Sequence, residues 1–313
     1  MRAYHQLPAS FGDLGNALND QVANPFLGII TNPTSALSRP QVSRSQLLRR
    51  FPQYTGVSAF RKPQANSIYH AFTLSVEKRF SQGFGFLMAF TAGKLIDDAS
   101  QTVTFLGQAG NKQDFFNRRA ERSVSTQDIS RRLVYSSNYD LPFGKGRRML
   151  TGMNPVGEAL LGGWQINGIL TLSTGTPVLV TQNVNNTGLG SSGQRPNNNG
   201  TSAERTGLTR DQQIAGWFDT SVFSFAQAFR FGNLARTLPD VRNPGLKTID
   251  FSLFKNLRVK ENVTLQIRAE AFNMTNTLQL GAPNAQLGSG QTGVIGGTAV
   301  GPRQVQLAVR ISF

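Results

Sequence analysis

Two glycine-rich stretches are the first places to look for chemistry. Gly188, Gly190 and Gly193 in GLGSSG, and Gly288, Gly290 and Gly293 in GSGQTG, have the spacing of a dinucleotide fingerprint. That chemistry needs a helix directly after the last glycine, whose N-terminal N–H groups hold the pyrophosphate. QRPNNNG follows the first stretch and VIGGTAVGP the second, and neither reads as a helix. Both are expected to be loops. Nucleophilic hydrolysis is no better supplied. The only histidines are His5 and His70, no serine stands in a G-x-S-x-G elbow, and cysteine is absent. His70 falls at a strand mouth, where an interfacial role is expected. Asp97 and Asp98 offer neighbouring carboxylates to a cation, but on a Gly/Ser-rich loop they are expected to be solvated. No catalytic residue, metal site or cofactor is expected.

Charge is the stronger signal. The formal net charge is +15, with basic clusters at Arg49-Arg50, Arg118-Arg119, Arg131-Arg132 and Lys145 to Arg148. A nucleic-acid binder would gather such clusters on one face, interleaved with stacking aromatics. Here they fall at strand ends and in loops, while the aromatics fall on an apolar face. Lipopolysaccharide phosphates or an acidic ligand are the expected partners, and nucleic acid is not.

The elements that must position these residues are strands. Successive strand side chains point to opposite faces. In Ser67 to Phe80, the residues Phe72, Leu74, Val76 and Phe80 share a face against Thr73, Ser75, Glu77 and Arg79. After the short break Ser81-Gln82-Gly83, the residues Phe84, Phe86, Met88 and Phe90 alternate again, which predicts a hairpin. The same period of two runs through Leu133 to Leu141, Trp164 to Ser173, Ile249 to Leu253, Val263 to Ala271 and Val305 to Phe313. That predicts seven strands. The last one places Val305, Leu307, Val309, Ile311 and Phe313 on one face and stops at an aromatic.

The connections decide the fold class. They run short, long, moderate, long, short, long, with a tight turn at Val259 to Asn262. Asp97 to Ser130, Gln182 to Lys247 and Thr275 to Pro302 are rich in Asn, Gly, Ser and Gln. Several structureless loops of that length are uncommon in a compact soluble domain, whereas an outer-membrane barrel has short periplasmic turns and long external loops. No apolar run approaches the roughly 18 residues of a membrane-spanning helix. In lipid every backbone N–H and C=O must be paired, so spanning strands belong to a barrel. The expectation is an all-β, antiparallel transmembrane β-barrel segment of about seven spanning strands. The apolar face meets lipid. The polar face, with Glu77, Arg79, Gln266, Arg268 and Glu270, meets the lumen, where charges on neighbouring strands would pair.

Six segments then point to a family. YHAFTLSVEKRFSQGFGFLMAFTAGKLIDD, NYDLPFGKGRR, GGWQINGILTLSTGTPV, IDFSLFKNLRV, LQIRAEAFNMTN and VQLAVRISF, in this order, resemble the Oar-like, TonB-dependent receptor barrels common in soil bacteria. The resemblance runs from about Asn16 to Phe313. It implies a barrel of about 22 strands plugged by an N-terminal domain, a TonB-contacting segment, often a carboxypeptidase-regulatory-like sandwich, and energised transport of an unspecified ligand. Plug, TonB-contacting segment and signal peptide are not seen, and seven strands are too few for the smallest barrel of eight. The chain is therefore expected to be the C-terminal portion of a larger barrel, with TonB engaged only through a missing N-terminal region. Residues 1–66 would be an extracellular loop region, LLRRFPQYTGV forming a short strand in it, and 67–313 the C-terminal strands. The closing strand would be the signal read by the barrel-assembly machinery. Localisation is expected in a Gram-negative-type outer membrane. The alternatives are a secreted β-rich adhesin and a cationic nucleic-acid binder.

Overall fold

The computed structural model describes residues 5–57, 65–99, 112–191, 193–260 and 263–313. Period-two patterning becomes seven long strands: β1 (Ser67–Ser81), β2 (Phe84–Asp97), β3 (Arg131–Asp140), β4 (Trp164–Ser173), β5 (Leu246–Lys260), β6 (Val263–Phe272) and β7 (Gln304–Ser312). They lie side by side in chain order in one antiparallel sheet. β5 is longer than its Ile249 to Leu253 alternation suggests, because Lys255 interrupts the apolar set while the strand continues through Leu257. β1 and β2 join through a two-residue turn in which Gln82 (φ 53°) and Gly83 (φ 84°) are both left-handed, the geometry that suits the twist of a hairpin. The tight turn expected between β5 and β6 includes residues 261–262, which lie outside the described residues.

Register aligns the alternating apolar positions of neighbouring strands on one face. One row runs Phe84, Tyr139, Ile166, Leu253, Ala269, Leu307 across six strands. It starts at the short-turn end of β2 and reaches the long-loop half of β7, so the strands are staggered, as tilted barrel strands are. On the other face Gly85, Asn138, Asn167, Ser252, Glu270 and Gln306 form a polar row. Among the described residues β1 and β7 each pair on one side only, leaving the sheet with two edges. No described helix is long and apolar enough to cross a membrane, which leaves crossing by strands open.

The long connections are not structureless. Residues 5–57, 112–130, 174–191, 193–245 and 274–303 fold together into a cap at one end of the sheet. Val178, Val180, Phe218, Val222, Leu238 and Val241 are among the residues forming one apolar core there, with Trp217 against it. Leu7, Leu18 and Leu189 form a second, flanked by Phe11, Phe229 and Phe231. The short strand expected in LLRRFPQYTGV does not form. Arg44–Leu47 makes one helical turn, and bends and turns follow through Tyr54, held by the Gln46 side chain donating to the carbonyls of Pro52 (2.6 Å) and Tyr54 (2.9 Å). A side chain satisfying backbone carbonyls in this way replaces a ladder.

Candidate functional site: the two sheet faces and the loop cap

Register places Glu77, Gln266, Arg268 and Glu270 on the face opposite the apolar rows. Glu77 lies in a row with Leu87, Ser136, Ile169 and Asp250, and Glu270 in the polar row above. Arg79 falls inside a bulge between Lys78 and Ser81. Gln266 donates from Nε2 to Asn256 Oδ1 (2.7 Å) and accepts from Arg268 Nε (2.5 Å) at its own carbonyl oxygen. The expected cross-strand ion pairs are absent among the described residues: Arg268 lies over the Phe254 ring (4.8 Å), its directly opposite partner on β5, and Glu77, Arg79 and Glu270 join no ion pair there. Aromatics are thus not confined to the apolar face. A guanidinium over a ring keeps its remaining N–H groups for water.

The apolar face has a girdle at the short-turn end. Lys78 and Lys255 stand in apolar rows, opposite Phe86 and Trp164 respectively. Each folds back onto an aromatic ring, Lys78 over Phe84 (5.1 Å) and Lys255 over Trp164 (5.0 Å). Lys78 donates to Phe84 O (2.8 Å) and Lys255 to Gly162 O. Long cationic side chains that cover aromatic surface and send their heads to polar groups are typical of an interface between apolar and aqueous phases. β7 presents Val305, Leu307, Val309 and Ile311 outward, and Phe313 is 99% exposed. His70 pairs with Lys94 near the other end of β1.

Within the cap, buried charge does the joining. Arg195 and Glu121 pair at 2.8 Å with both side chains 1% exposed. Gln113 ties four segments: its carbonyl oxygen accepts from Gln6 Nε2 (2.9 Å) and Ser191 Oγ (2.7 Å), its side chain donates to Gly232 O (2.6 Å), and its Oε1 accepts from Arg195 N (3.0 Å). Asp97 and Asp98 are not solvated. Arg236 clamps Asp97, and Asp98 accepts from Arg118 Nη2 and Asn66 N, each at 2.7 Å. Burial pushes the Asp98 carboxyl up, but the Asn66 N–H and the Arg118 guanidinium outweigh it and hold the pKa below the ordinary value. Arg242 pairs with Asp128 at 2.5 Å. Among the described residues no group of three or more His, Asp or Glu could hold a metal ion.

The basic clusters separate between the two ends. Arg49, Arg118 and Arg131 lie at the cap end, whereas Arg147 pairs with Asp140 (2.9 Å) at the short-turn end. The glycine motifs lead into no helix: Gly188, Gly190, Gly288 and Gly293 take positive φ in loops of the cap. Sequence reasoning passed over the helix Arg210–Ala215, although Thr209 and Gln212 have the capping-box spacing and form both of its hydrogen bonds.

Hollows ring the junction of sheet and cap. One of about 330 Å³ is lined by Thr248, Asp250, Phe272, Asn273 and Gln304 on the polar face. Another, of about 360 Å³, is lined by Lys247, Arg210, Trp217 and Leu278. Lys247 is one residue from Thr248 in β5, so the two open on opposite faces.

No curated protein and no solved structure matches the chain. The family model described as outer membrane beta barrel domain matches residues 11–306, nearly the whole chain. With its staggered antiparallel sheet, one apolar face and one polar face, the chain belongs to the outer membrane beta barrel domain family and resides in the outer membrane.

Proposed function

We propose that this chain is a sector of a TonB-dependent receptor barrel of the Oar-like kind, with the cap outside the cell and the short turns in the periplasm. The single observation that carries this reading is the pair of edges left without a partner among the described residues, on an otherwise regular sheet. A row of unpaired N–H and C=O groups cannot face lipid, so β1 and β7 need further strands beside them. The six ordered segments and the folded cap support the receptor reading. In it, the polar face lines a lumen and the hollow beside Asp250 opens into it, while the sheet binds and passes a ligand rather than transforming one. Lipopolysaccharide and the assembly machinery are its membrane partners.

The test is to isolate the protein from native outer membranes and determine the whole polypeptide that carries these strands. A chain with a plug-type domain and enough strands to pair both edges supports the reading. A polypeptide of 313 residues forming a heat-modifiable barrel alone, or one unaffected by loss of TonB in every ligand it takes up, would refute it.

A further inference from the structure

The hollow beside Lys247 lies where the apolar face ends and the cap begins. In β5 the residues Lys247, Ile249, Phe251 and Leu253 share one face, and Ile249 pairs with Leu170 of β4. Lys247 is therefore the residue directly above an apolar column. Its side chain and that of Arg210 supply the charge of the 360 Å³ hollow, whose lining contains no carboxylate. Arg210 is held by its Nη2 donating to Leu278 O (3.0 Å), which leaves other N–H groups of the guanidinium for a ligand. Lys247 joins no ion pair among the described residues. Trp217 forms a wall, its indole N–H already donating to Arg242 O (2.7 Å), so the ring offers an apolar surface. Leu278, 44% exposed, adds a second apolar side chain to the lining. The adjoining hollow of about 430 Å³ shares Lys247 and Trp217 and adds Arg205 and Arg242, but Glu204 and Asp240 also line it, so the acid-free hollow is the better seat for an anion.

We propose that this hollow binds the phosphate of a phosphorylated glycolipid in the outer leaflet. Arg210 and Lys247 take the phosphate oxygens, Trp217 and Leu278 pack against the sugar and upper chain, and the acyl chains run down the column below Lys247. A guanidinium and an ammonium lining one hollow that holds no acid suit a phosphate, and tryptophan suits a boundary where one side is apolar and the other wet. The volume accommodates a headgroup-sized ligand. The inference rests on the proposed orientation, because only with the cap outside does the hollow meet the outer leaflet.

The experiment uses the protein purified from outer membranes in mild detergent and titrated with diphosphorylated lipid A, enzymatically dephosphorylated lipid A, and inorganic phosphate. Arg210→Gln and Lys247→Gln should each weaken lipid A binding roughly fivefold, the weight of one cation at an anionic surface, and the double variant about 30-fold. Lys247→Arg should retain binding, and Lys78→Gln, on the same face at the other end, should leave it unchanged. Equal affinity of wild type and double variant, with normal heat-modifiable mobility, would overturn the proposal. So would equal binding of dephosphorylated lipid A, or inorganic phosphate competing at the concentration of lipid A itself. A cysteine at the exposed position Thr206, probed with an impermeant maleimide on intact cells, separates the two failures. Labelling together with unaltered lipid binding sinks only the headgroup site; labelling confined to broken cells sinks the orientation and the site with it.

Discussion

At the residue scale, the cap depends on buried charge. Glu121 Oε2 faces Arg195 at 2.8 Å while its Oε1 accepts from the N–H groups of Gln113 (3.1 Å) and Asp114 (3.2 Å). Removing one partner of such a pair leaves the other charged, desolvated and uncompensated. Glu121→Ala should therefore destabilise the cap by about 3–5 kcal/mol, and Glu121→Gln by less, since an amide oxygen still accepts. Trp217 fluorescence in a Trp164→Phe background, followed through urea, reports it. Equal midpoints for wild type and Glu121→Ala would mean that the pair contributes nothing. Asp98 adds a pH dependence. Its folded pKa is depressed, so its contribution is complete above the ordinary carboxylate pKa of about 3.9 and is lost as pH falls through the lower folded value. Asp98→Asn should flatten that acid-side loss of protease protection around Arg118 and leave neutral-pH cleavage faster than wild type.

At the element scale, alternation within one strand separates the two faces. Leu265 and Ile267 share the apolar rows with Ile311 and Val309 of β7. Leu265→Arg and Ile267→Arg should each cost about 2–4 kcal/mol if the residue lies near the membrane midplane. Gln266→Arg breaks the hydrogen bond to Asn256 and stands between Arg268 and Arg310, the latter directly opposite. It should cost less than the apolar pair, and Gln266→Glu should cost least of all because both neighbours are cationic. A folding titration giving all four the same midpoint would invalidate the face assignment. The closing strand carries a different test. Among the described residues β7 is paired only with β6, and its apolar side chains end in the fully exposed Phe313. An edge strand with free backbone groups is a natural handle for strand addition. Deleting Phe313, or appending a polar tail, should reduce heat-modifiable barrel in the outer-membrane fraction far more than Ser312→Ala; equal yields would make Phe313 an ordinary boundary aromatic.

At the scale of the whole molecule, the cap is the part with a buried apolar interior. Its apolar cores bring together residues from Leu7 to Val241, and the pairs Arg195–Glu121, Arg236–Asp97, Arg242–Asp128 and Arg118–Asp98 bind it to itself and to the end of β2. It is expected to open as a unit while the sheet stays in the membrane, because local stability follows packed clusters rather than chain order. The outward orientation is tested with the cysteine at Thr206. That position is exposed. Labelling of intact cells is the expected outcome, and labelling only after the outer membrane is broken would reverse the assignment.

The strands and their faces were legible in the sequence because a period of two is a local rule. Whether Val305 and Leu307 share a face depends on their spacing alone, and a one-residue slip would turn all of β7 over. The same local rule ends β5 too early: Lys255 breaks the alternation after Leu253, and only its neighbour Trp164 explains why an apolar row tolerates it. The cap obeyed no such rule. Phe218, Val222 and Phe223 carry no periodicity, and their burial follows from distant partners such as Val178 and Leu238. Asp97 and Asp98 looked solvated because Arg236 and Arg118 lie 139 and 20 residues away in the chain. Alternation along a chain determines which way side chains point. Which charges are buried, and against what, is decided only when segments far apart in sequence meet, because desolvation and ion pairing depend on distance in space.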